Sequence, residues 1–392
     1  MRIYFDNAGT TAAKPEVVQA VLPYLAERYG NASSIHAVGR DARKAVEKAR
    51  AQVAAAIGAR PEEVYFTAGG TESDNWAVKG AAFALSSKGR HIITSAIEHH
   101  AVLHSCQWLQ KQGFDVTYLP VDADGLVSPA GVEAAIRPDT ILISVMTANN
   151  EIGVIEPIAE IGALARARKV LLHTDAVQAV GAVPVDVNAL NVDMLSLSGH
   201  KIYGVMGVGA LYIRQGVRID SLLHGGAQER GRRAGTENLP AIVGLGAAIE
   251  LATQHVEEHA ARLTKLRDRL IGGILATVPH TRLNGHPTRR LPGNVNVSVD
   301  YIEGEALLLR LDLAGFEASS GSACTSGSLD PSHVLLAIGL SHEAAHGSLR
   351  LTLGDYNTEQ DVDALLAVLP GIVQSLRDMS PLYQDMLRET KA

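Results

Sequence analysis

The sequence is short of cysteine and of long apolar runs. Cys106 and Cys324 are the two cysteines in 392 residues, and they form no Cys-x-x-Cys spacing. A disulfide framework and a cysteine-based structural zinc site are therefore excluded. No stretch approaches the ~20 apolar residues that a membrane helix requires, and Asp6 interrupts the N-terminus before a signal-peptide core can develop. We expect a cytoplasmic protein without a membrane partner.

Positively charged residues are also fewer than negatively charged ones. Lysine and arginine number 35 against 42 aspartate and glutamate residues, which gives a formal net charge of -7. Because nucleic acids select basic surfaces, this balance argues against a nucleic-acid partner. The hydrophobic fraction of 46% and the charged fraction of 20% are ordinary for a soluble globular protein. At ~150 residues for a domain, the length indicates two domains.

Strand-like and helix-like patterns alternate in the first half of the chain. Apolar runs such as 91–94 and 140–145 are separated by stretches with helical periodicity such as 158–168. The alternation predicts an α/β fold with a mostly parallel sheet that is covered by helices. Further predicted helices are 15–29, 42–57, 70–84, 303–314 and 358–376, and further predicted strands are 64–67, 116–119, 209–213, 294–299 and 348–353.

The pattern changes after residue 213. A polar segment rich in glycine and arginine covers residues 224–238, and the long helical region that follows is predicted to break near Gly272 and Gly273. Such a change in composition is typical of a domain junction. We predict a large α/β domain at residues 13–256 and a smaller α+β domain at residues 1–12 and 257–392.

A lysine stands just after a short apolar strand. Ser198, Gly199 and His200 precede Lys201 in a small polar turn, where partial desolvation favours the neutral amine. A neutral amine can form a Schiff base, although a surface lysine in a loop is the alternative interpretation. Asp175 ends the preceding strand, and the carboxyl ends of neighbouring parallel strands face one crevice. Pyridoxal phosphate needs this pair, because the amine holds its aldehyde and the acid keeps its pyridine nitrogen protonated.

Residues at a predicted helix start are candidates for binding a phosphate. Gly70 and Thr71 offer N–H groups and a hydroxyl where the helix dipole favours negative charge, although an ordinary N-cap explains the same residues. Ser198 and His200, beside the lysine, can add two donors. No Walker lysine motif is present, which disfavours a nucleoside triphosphate.

Other polar residues follow strand ends or interrupt strands. His99 is placed to stack on a planar ring, and Gln178 and Asn150 can donate to a ring phenolate or to a substrate carboxylate. Arg350 is a lone charge in an apolar strand pattern. Its planar fork suits either the α-carboxylate of an amino acid or an internal ion pair.

Candidate thiols and metal ligands are few. His100 and His104 have the i, i+4 spacing of a helical metal site, but no third ligand follows at a recognisable spacing, so we predict no metal. Cys106 lies in a helix-like pattern and is interpreted as a small buried apolar residue. Cys324 lies in a run of small residues, 319–328. This run is either a linker or a mobile loop whose thiol reaches a buried substrate and later an outside partner.

Five blocks of this sequence resemble the NifS/IscS-type cysteine desulfurases, class-V aminotransferases with the pyridoxal-phosphate fold of type I. The blocks are FTAGGTESDN at 66–75, ANNEIG at 148–153, HTDAVQ at 173–178, SLSGHK at 196–201 and SGSACTS at 320–326. The similarity runs from Tyr4 to about Leu376, and residues 228–238 look closer to the NifS branch. Residues 8–11 depart from the pattern, since Gly9 stands where relatives usually carry alanine, and we expect a looser turn there.

The resemblance implies roles for residues in the matching motifs. Lys201 forms the Schiff base, Asp175 pairs with the pyridine nitrogen, Gln178 faces the phenolate and His99 stacks on the ring. Thr236 reaches the phosphate bound in the neighbouring subunit, which implies a homodimer with shared active sites. The cofactor-binding residues are then Gly70, Thr71, His99, Asp175, Gln178, Ser198, His200, Lys201 and Thr236.

The implied reaction converts L-cysteine to L-alanine. Asn150 and Arg350 hold the substrate carboxylate, Lys201 removes the α-proton and His99 accepts the proton of the substrate thiol. The thiolate of Cys324 attacks the substrate sulfur and carries it, as a persulfide, to an iron–sulfur scaffold or another acceptor protein. A selenocysteine lyase or cysteine-sulfinate-specific relative stays open as an alternative, as does a non-catalytic sulfur carrier or scaffold.

Overall fold

The computed structural model describes residues 2–320 and 331–389, and residues 321–330 with Cys324 lie outside it. In chain order the strands are β1 (Ile3–Tyr4), β2 (Val64–Thr67), β3 (His91–Ser95), β4 (Asp115–Leu119), β5 (Thr140–Ser144), β6 (Leu171–Asp175), β7 (Met194–Ser198), β8 (Gly209–Ile213), β9 (Thr281–Leu283), β10 (Asn294–Val299), β11 (Phe316–Glu317) and β12 (Ser348–Thr352). The α-helices are α1 (Pro15–Val21), α2 (Pro23–Ala26), α3 (Ala37–Ala56), α4 (Gly70–Ala84), α5 (His100–Lys111), α6 (Pro129–Ala135), α7 (Ile158–Arg168), α8 (Leu239–Thr253), α9 (Val256–Thr277), α10 (Gly304–Leu313), α11 (His333–Ala337), α12 (His342–His346), α13 (Glu359–Asp378) and α14 (Pro381–Glu389).

A seven-stranded sheet forms the centre of the larger part, in the order β2-β8-β7-β6-β5-β3-β4. Strands β7, β6, β5, β3 and β4 run parallel, which confirms the predicted mostly parallel sheet. Strand β8 runs antiparallel to both of its neighbours, β2 and β7. Because of this double reversal, β2 ends at the same edge of the sheet as β7, β6, β5 and β3.

Gly209 allows two turns at this edge to approach each other. It lies at the start of β8, opposite Thr67 on one side and Ser198 on the other. A Cβ at Gly209 would lie 2.6 Å from the carbonyl oxygen of Leu197 and 2.8 Å from the backbone of Gly69. A side chain there would therefore separate the turn after β2 from the turn after β7.

Helices cover both faces of this sheet, and each face has a separate hydrophobic core between the sheet and its helices. On one face α3 and α8 contribute Val46, Val53 and Leu245, and on the other α4 and α5 contribute Trp76 and Cys106. Cys106 is fully buried, as expected, and burial raises the pKa of its thiol to about 12. This cysteine is therefore an apolar packing residue.

The two ends of the chain meet in a smaller part. Strands β12, β10 and β9 form an antiparallel sheet, and β1 pairs with β11. A separate core joins Phe5 near the N-terminus with side chains such as Leu266, Val297 and Val373. This arrangement accords with a small domain built from both ends, and the boundaries at residues 12/13 and 256/257 stay a prediction.

Two predicted helices differ from the structure. The helix predicted at 15–29 is divided at Pro23, which takes the first position of α2. The break predicted at Gly272 and Gly273 is wrong, because α9 continues through both and the chain bends at residues 254–255 instead. A Cβ at Gly273 would overlap the side chain of Leu366 in α13, so this glycine serves helix packing.

In the described part of the chain, no single helix is long and apolar enough to cross a membrane. Helices α8 and α9 meet the length and composition criteria only as a pair, and they are bent by 71° relative to each other.

Candidate active site

A cavity of about 300 Å³ opens at the carboxyl edge of the seven-stranded sheet. The exposed Thr236 is not among its lining residues, and Cys324 lies outside the described residues. Ten of the predicted site residues line the cavity: Gly70, Thr71, His99, Asn150, Asp175, Gln178, Ser198, His200, Lys201 and Arg350.

The lysine turn lies beneath an N-terminal segment. Lys201 ends a single 3-10 turn after β7, and its Nζ donates to the carbonyl oxygens of Ala8 and Gly9, each at 2.5 Å. The Thr11 hydroxyl donates to the carbonyl oxygen of His200 at 2.8 Å. The amine is therefore held at the cavity wall by the backbone of residues 8–11.

Asp175 ends β6, the strand next to β7, which leads to Lys201. It is 5% exposed, and its Oδ1 accepts a hydrogen bond from the Val177 N–H at 2.9 Å. Burial raises the pKa of Asp175 to about 6, while the Val177 N–H and the charge of Lys201 act in the opposite direction. The backbone donor and the lysine charge therefore favour the carboxylate form of Asp175.

The start of α4 forms a narrow concave end of the cavity. Gly69 precedes the helix with φ of 155°, and a Cβ at Gly70 would lie 2.7 Å from Cγ2 of Val177 and 3.7 Å from Cβ of Ser198. The first N–H groups of an α-helix have no intrahelical partner, and the helix dipole favours an anion there. The helix start, Thr71 and Ser198 thus form a cradle for an anionic group.

Both predicted site histidines are neutral at physiological pH. Nδ1 of His99 accepts from the Ala101 N–H at 3.1 Å, so its ring proton is on Nε2. Burial and the nearby charge of Lys201 lower the pKa of His99 to about 4, and the same two causes lower that of His200 to about 4. Nδ1 of His200 is hydrogen-bonded to the hydroxyl of Thr10 at 3.1 Å.

Arg350 is buried in β12, 2% exposed, and points a guanidinium into the cavity wall. Nη2 donates to Oδ1 of Asp6 at 2.8 Å and Nη1 donates to the carbonyl oxygen of Asn150 at 3.1 Å, whereas its buried Nε has no partner among the described residues. The internal ion pair is therefore present. Gln178 donates to the carbonyl oxygen of Ala8 at 3.0 Å.

Sequence reasoning assigned no role to Asp74, Glu151 and His333, which also line the cavity. Asp74 shares the buried face of α4 with Ala77 and Val78, so a charged residue at core spacing on a helix was the signal available. Glu151 and His333 carried no comparable signal, because only the fold brings their segments together.

The segments on both sides of residues 321–330 are attached near the cavity. Before the gap, Ser319 exchanges two backbone hydrogen bonds with Arg350, at 2.7 and 3.2 Å. After it, the Ser332 hydroxyl donates to the buried carboxyl of Glu151 at 2.5 Å, and His333 is hydrogen-bonded to the carbonyl oxygen of Glu98 at 3.0 Å. The chain therefore leaves and re-enters the described structure beside the site.

Two histidines that line the cavity, His100 and His333, form a cluster of rings with His104. The His100 ring centroid is 5.0 Å from that of His104 and 4.8 Å from that of His333. Within residues 2–320 and 331–389, no group of three or more His, Cys, Asp or Glu side chains is arranged to hold a metal ion.

Comparison with known protein families assigns this chain to one of them. The family described as aminotransferase class-V matches residues 3–365. The chain belongs to the class-V aminotransferase family. This assignment confirms the family and the α/β fold expected from the five sequence blocks.

Curated relatives carry a more specific name. The chain is 63% identical over 380 residues to "Cysteine desulfurase IscS" of Methanosarcina thermophila, covering 97% of this chain and 94% of that protein. It is 56% identical over 389 residues to "Cysteine desulfurase IscS" of Clostridium botulinum (strain Hall), covering 99% and 98% respectively.

Solved structures agree with this family. A structure titled "NifS-like protein" has a TM-score of 0.90 at 39% identity and covers 96% of this chain and 100% of that one. "SspA in complex with cysteine" has a TM-score of 0.80 at 38% identity, with 91% and 100% covered. IscS and NifS names both occur among these class-V aminotransferases, so the names do not separate the two branches.

Proposed function

We propose that this protein is a cysteine desulfurase that uses pyridoxal phosphate to convert L-cysteine to L-alanine and passes the sulfur on as a persulfide of Cys324. The observation that carries the proposal is the convergence of Lys201, Asp175 and Arg350 on one cavity. An amine, a carboxylate and a guanidinium in one pocket suit an aldehyde cofactor together with an amino-acid substrate. Relatives named cysteine desulfurase, similar over nearly the whole chain, support the same activity.

The residues present fit pyridoxal phosphate. The α4 cradle, in which a Cβ at Gly70 would strike Val177, suits the phosphate, with Thr71, Ser198 and His200 as further donors. Asp175 suits a protonated pyridine nitrogen, because it is the buried carboxylate beside Lys201. When bound, the cofactor supplies an aldehyde that captures amines and a ring that stabilises negative charge at the substrate α-carbon.

Lys201 and Arg350 have complementary tasks in this reaction. The Lys201 amine would hold the aldehyde of the cofactor and, as a free base, would take the α-proton of the substrate. The guanidinium of Arg350 would pair with the substrate carboxylate, and Asn150, which also lines the cavity, would add a side-chain donor. Binding the carboxylate there orients the α-C–H bond toward the lysine.

His99 is better suited to donating a hydrogen bond than to accepting a proton from the substrate thiol. Its Nδ1 is occupied by the Ala101 N–H, and a second ring proton is disfavoured because burial lowers its pKa to about 4. Its Nε2–H can hydrogen-bond a developing anion in the cavity. This assignment replaces the acceptor role that the sequence resemblance implied.

Cys324 is proposed as the sulfur acceptor. Ser319 and Ser332, which lie on either side of residues 321–330, are attached to Arg350 and Glu151 at the cavity. In the transfer, the Cys324 thiolate bonds to the substrate sulfur, the carbon–sulfur bond breaks, and its electron pair and a proton stay with the three-carbon product. That product is released as alanine.

The test measures alanine and protein-bound persulfide after L-cysteine is added to purified protein with pyridoxal phosphate. Cys324→Ala should still bind cofactor but form no persulfide, whereas Cys106→Ala, which removes the buried thiol, should still form it. Lys201→Ala should lose the borohydride-reducible link between cofactor and protein. Sulfide release by Cys324→Ala equal to that of the wild type would overturn the role of Cys324.

Two alternatives are outcomes of the same experiment. Faster turnover of selenocysteine than of cysteine, retained in Cys324→Ala, would indicate a selenocysteine lyase. A colourless protein that makes no alanine would indicate a sulfur carrier or scaffold without catalysis.

The proposed assembly is a homodimer in which Thr236 reaches the phosphate bound in the neighbouring subunit, and the proposed sulfur acceptor is an iron–sulfur scaffold or another protein. The exposure of Thr236 and its position away from the cavity of its own chain support the shared site. Sedimentation analysis of the holoenzyme tests the dimer, and transfer of labelled persulfide sulfur to a purified scaffold tests the acceptor. A monomer with full activity would overturn the shared site.

A further inference from the structure

Asp74 is a buried carboxyl group that the proposed reaction leaves unused. It lies in the first turns of α4, is 1% exposed and lines the cavity together with Asp175. Its buried Oδ1 has no hydrogen-bond partner among the described residues. A buried carboxylate ion with an unpartnered oxygen and no counter-charge is costly, so the protonation state of Asp74 needs an explanation.

The nearest candidate counter-charge is a histidine that is itself neutral. Nε2 of His173 lies 3.7 Å from Oδ1 of Asp74. Both ring nitrogens of His173 are already engaged, with the hydroxyls of Ser144 at 2.8 Å and Ser196 at 2.9 Å. Burial lowers the pKa of His173 to about 3, so the ring carries no positive charge at neutral pH.

The other titratable groups that act on Asp74 are acids. Asp175 and Glu98 each oppose its ionisation, and burial is the largest cause of the raised pKa of Asp74. Only a hydrogen bond with the Ser196 hydroxyl acts in the opposite direction. Glu98 is buried as well, and burial raises its pKa to about 8.

Asp175 has the stabilising contacts that Asp74 lacks. It accepts a hydrogen bond from the Val177 N–H at 2.9 Å, and the positive charge of Lys201 stabilises its ionised form. Two neighbouring carboxyl groups in one buried site share a single ionisation when their repulsion is strong, and the charge stays where donors and cations are. In this pair, the donor and the cation, the Val177 N–H and Lys201, act on Asp175.

We propose that Asp74 is a positioning residue that stays protonated and forms, with Asp175, an acid–carboxylate pair holding one negative charge, located on Asp175. The inference rests on the proposed function, because that single charge is what would pair with the pyridine nitrogen of the cofactor. A single charge would balance one pyridinium, whereas two would leave an unpaired anion in the buried site. Asp74 also provides a second site for the charge when Asp175 is lost.

The first test needs no cofactor. Infrared spectra of the full-length apoprotein at neutral pH should contain carbonyl absorption of protonated carboxylic acids, and one component of it should disappear in Asp74→Asn while the component from the protonated Glu98 stays. The matched control Asp124→Asn, at an exposed aspartate, should leave that band region unchanged. If Asp74→Asn folds poorly, the wild type labelled with ¹³C-aspartate should show one carboxyl resonance at the position of the neutral acid.

The second test uses bound cofactor. Asp175→Asn should weaken binding of pyridoxal phosphate by about tenfold or more and shift the pH titration of its visible band. In this variant Asp74 can ionise, so Asp74→Asn/Asp175→Asn should lose about a further fivefold or more in affinity. The double variant thus reveals a charge that moves to Asp74.

The outcomes separate the two proposals. A band unaffected by Asp74→Asn, or a double variant that matches Asp175→Asn in affinity and titration, would overturn the acid–carboxylate pair. Wild-type protein that binds no pyridoxal phosphate would overturn the proposed function, while the infrared result on the apoprotein would still decide the protonation of Asp74.

Discussion

Arg350 donates to the carboxylate of Asp6 at 2.8 Å, although the two residues lie near opposite ends of the chain. The guanidinium is almost completely buried, whereas the Asp6 side chain is 25% exposed. The proposed substrate carboxylate would therefore meet an arginine that already has a carboxylate partner.

Removing this partner should destabilise the free protein and favour substrate binding. In Asp6→Asn the buried Arg350 loses its counter-charge, and we expect the free energy of unfolding to fall by about 1–3 kcal/mol. An anion that restores the charge balance should then bind more tightly, so the KM for L-cysteine should fall by about threefold or more. Urea unfolding and steady-state alanine production measure the two effects.

A matched control is Glu317→Gln, which removes a carboxylate from β11 that pairs with the exposed Arg2. It should change neither quantity. A raised KM in Asp6→Asn at unchanged stability would show instead that Asp6 orients the guanidinium.

Gly9 determines where Asp6 can lie. A Cβ at Gly9 would overlap Oδ2 of Asp6, and the side-chain end can move aside without displacing the backbone. We expect Gly9→Ala to fold normally and to lower the KM for L-cysteine in the same direction as Asp6→Asn, by a smaller factor. Kinetics of the double variant Gly9→Ala/Asp6→Asn check this, since the two effects should not add.

The proposed phosphate cradle depends on the missing side chain of Gly70. A methyl group there would lie 2.7 Å from Cγ2 of Val177, so Gly70→Ala should push Val177 or the start of α4 away from the ligand. We expect the affinity for pyridoxal phosphate to fall by about tenfold, because a shift below 1 Å disturbs several hydrogen bonds together. Absorbance titration of the apoprotein measures the affinity.

Gly272→Ala serves as the control for this change. Gly272 lies inside α9 with nothing near its Cβ position, so alanine should leave cofactor affinity unchanged and stabilise the helix by about 0.5–1 kcal/mol. Equal cofactor affinity in Gly70→Ala and the wild type would contradict the cradle.

The stability of the protein should depend on pH through Glu98. Burial raises the pKa of Glu98 from its ordinary value of 4.5 to about 8, and its Oε1 accepts from Ser95 and Met146. Since the folded state holds the proton more tightly, this stabilisation is complete below pH 4.5 and is lost as the pH rises through about 8.

In Glu98→Gln that pH-dependent part disappears. The unfolding free energy of the wild type minus that of the variant should therefore decrease by about 1 kcal/mol or more between pH ~5 and ~9. Urea unfolding across this range measures it, with the exposed Glu160→Gln as control. A difference that stays constant with pH would refute a buried, protonated Glu98.

Sequence reasoning located the site best where a motif coincides with a strand end. Lys201 and Asp175 follow neighbouring parallel strands, so their convergence follows from the topology that the alternating pattern predicts. Ten predicted residues line one cavity for this reason. The roles given to them, and those of Thr236 and Cys324, stay predictions.

Contacts between distant segments were not predictable from local patterns. The pairing of Asp6 with Arg350 requires the N-terminus to pack against the C-terminal part, and the reversed direction of β8 leaves no trace in its apolar composition. Gly272 and Gly273 led to the prediction of a helix break. The sequence does not distinguish a glycine that ends a helix from one that allows close helix packing, as Gly273 does.

The antiparallel β8 has a consequence for how the protein acquires its cofactor during folding. Its first residue, Gly209, lies between Thr67 and Ser198, so the two sides of the proposed phosphate cradle meet only after segments distant in sequence have paired. Contacts of such high sequence separation form slowly. Newly made chains should therefore remain unable to bind pyridoxal phosphate until the central sheet is complete, and the cofactor, once captured, would hold that sheet closed by mass action.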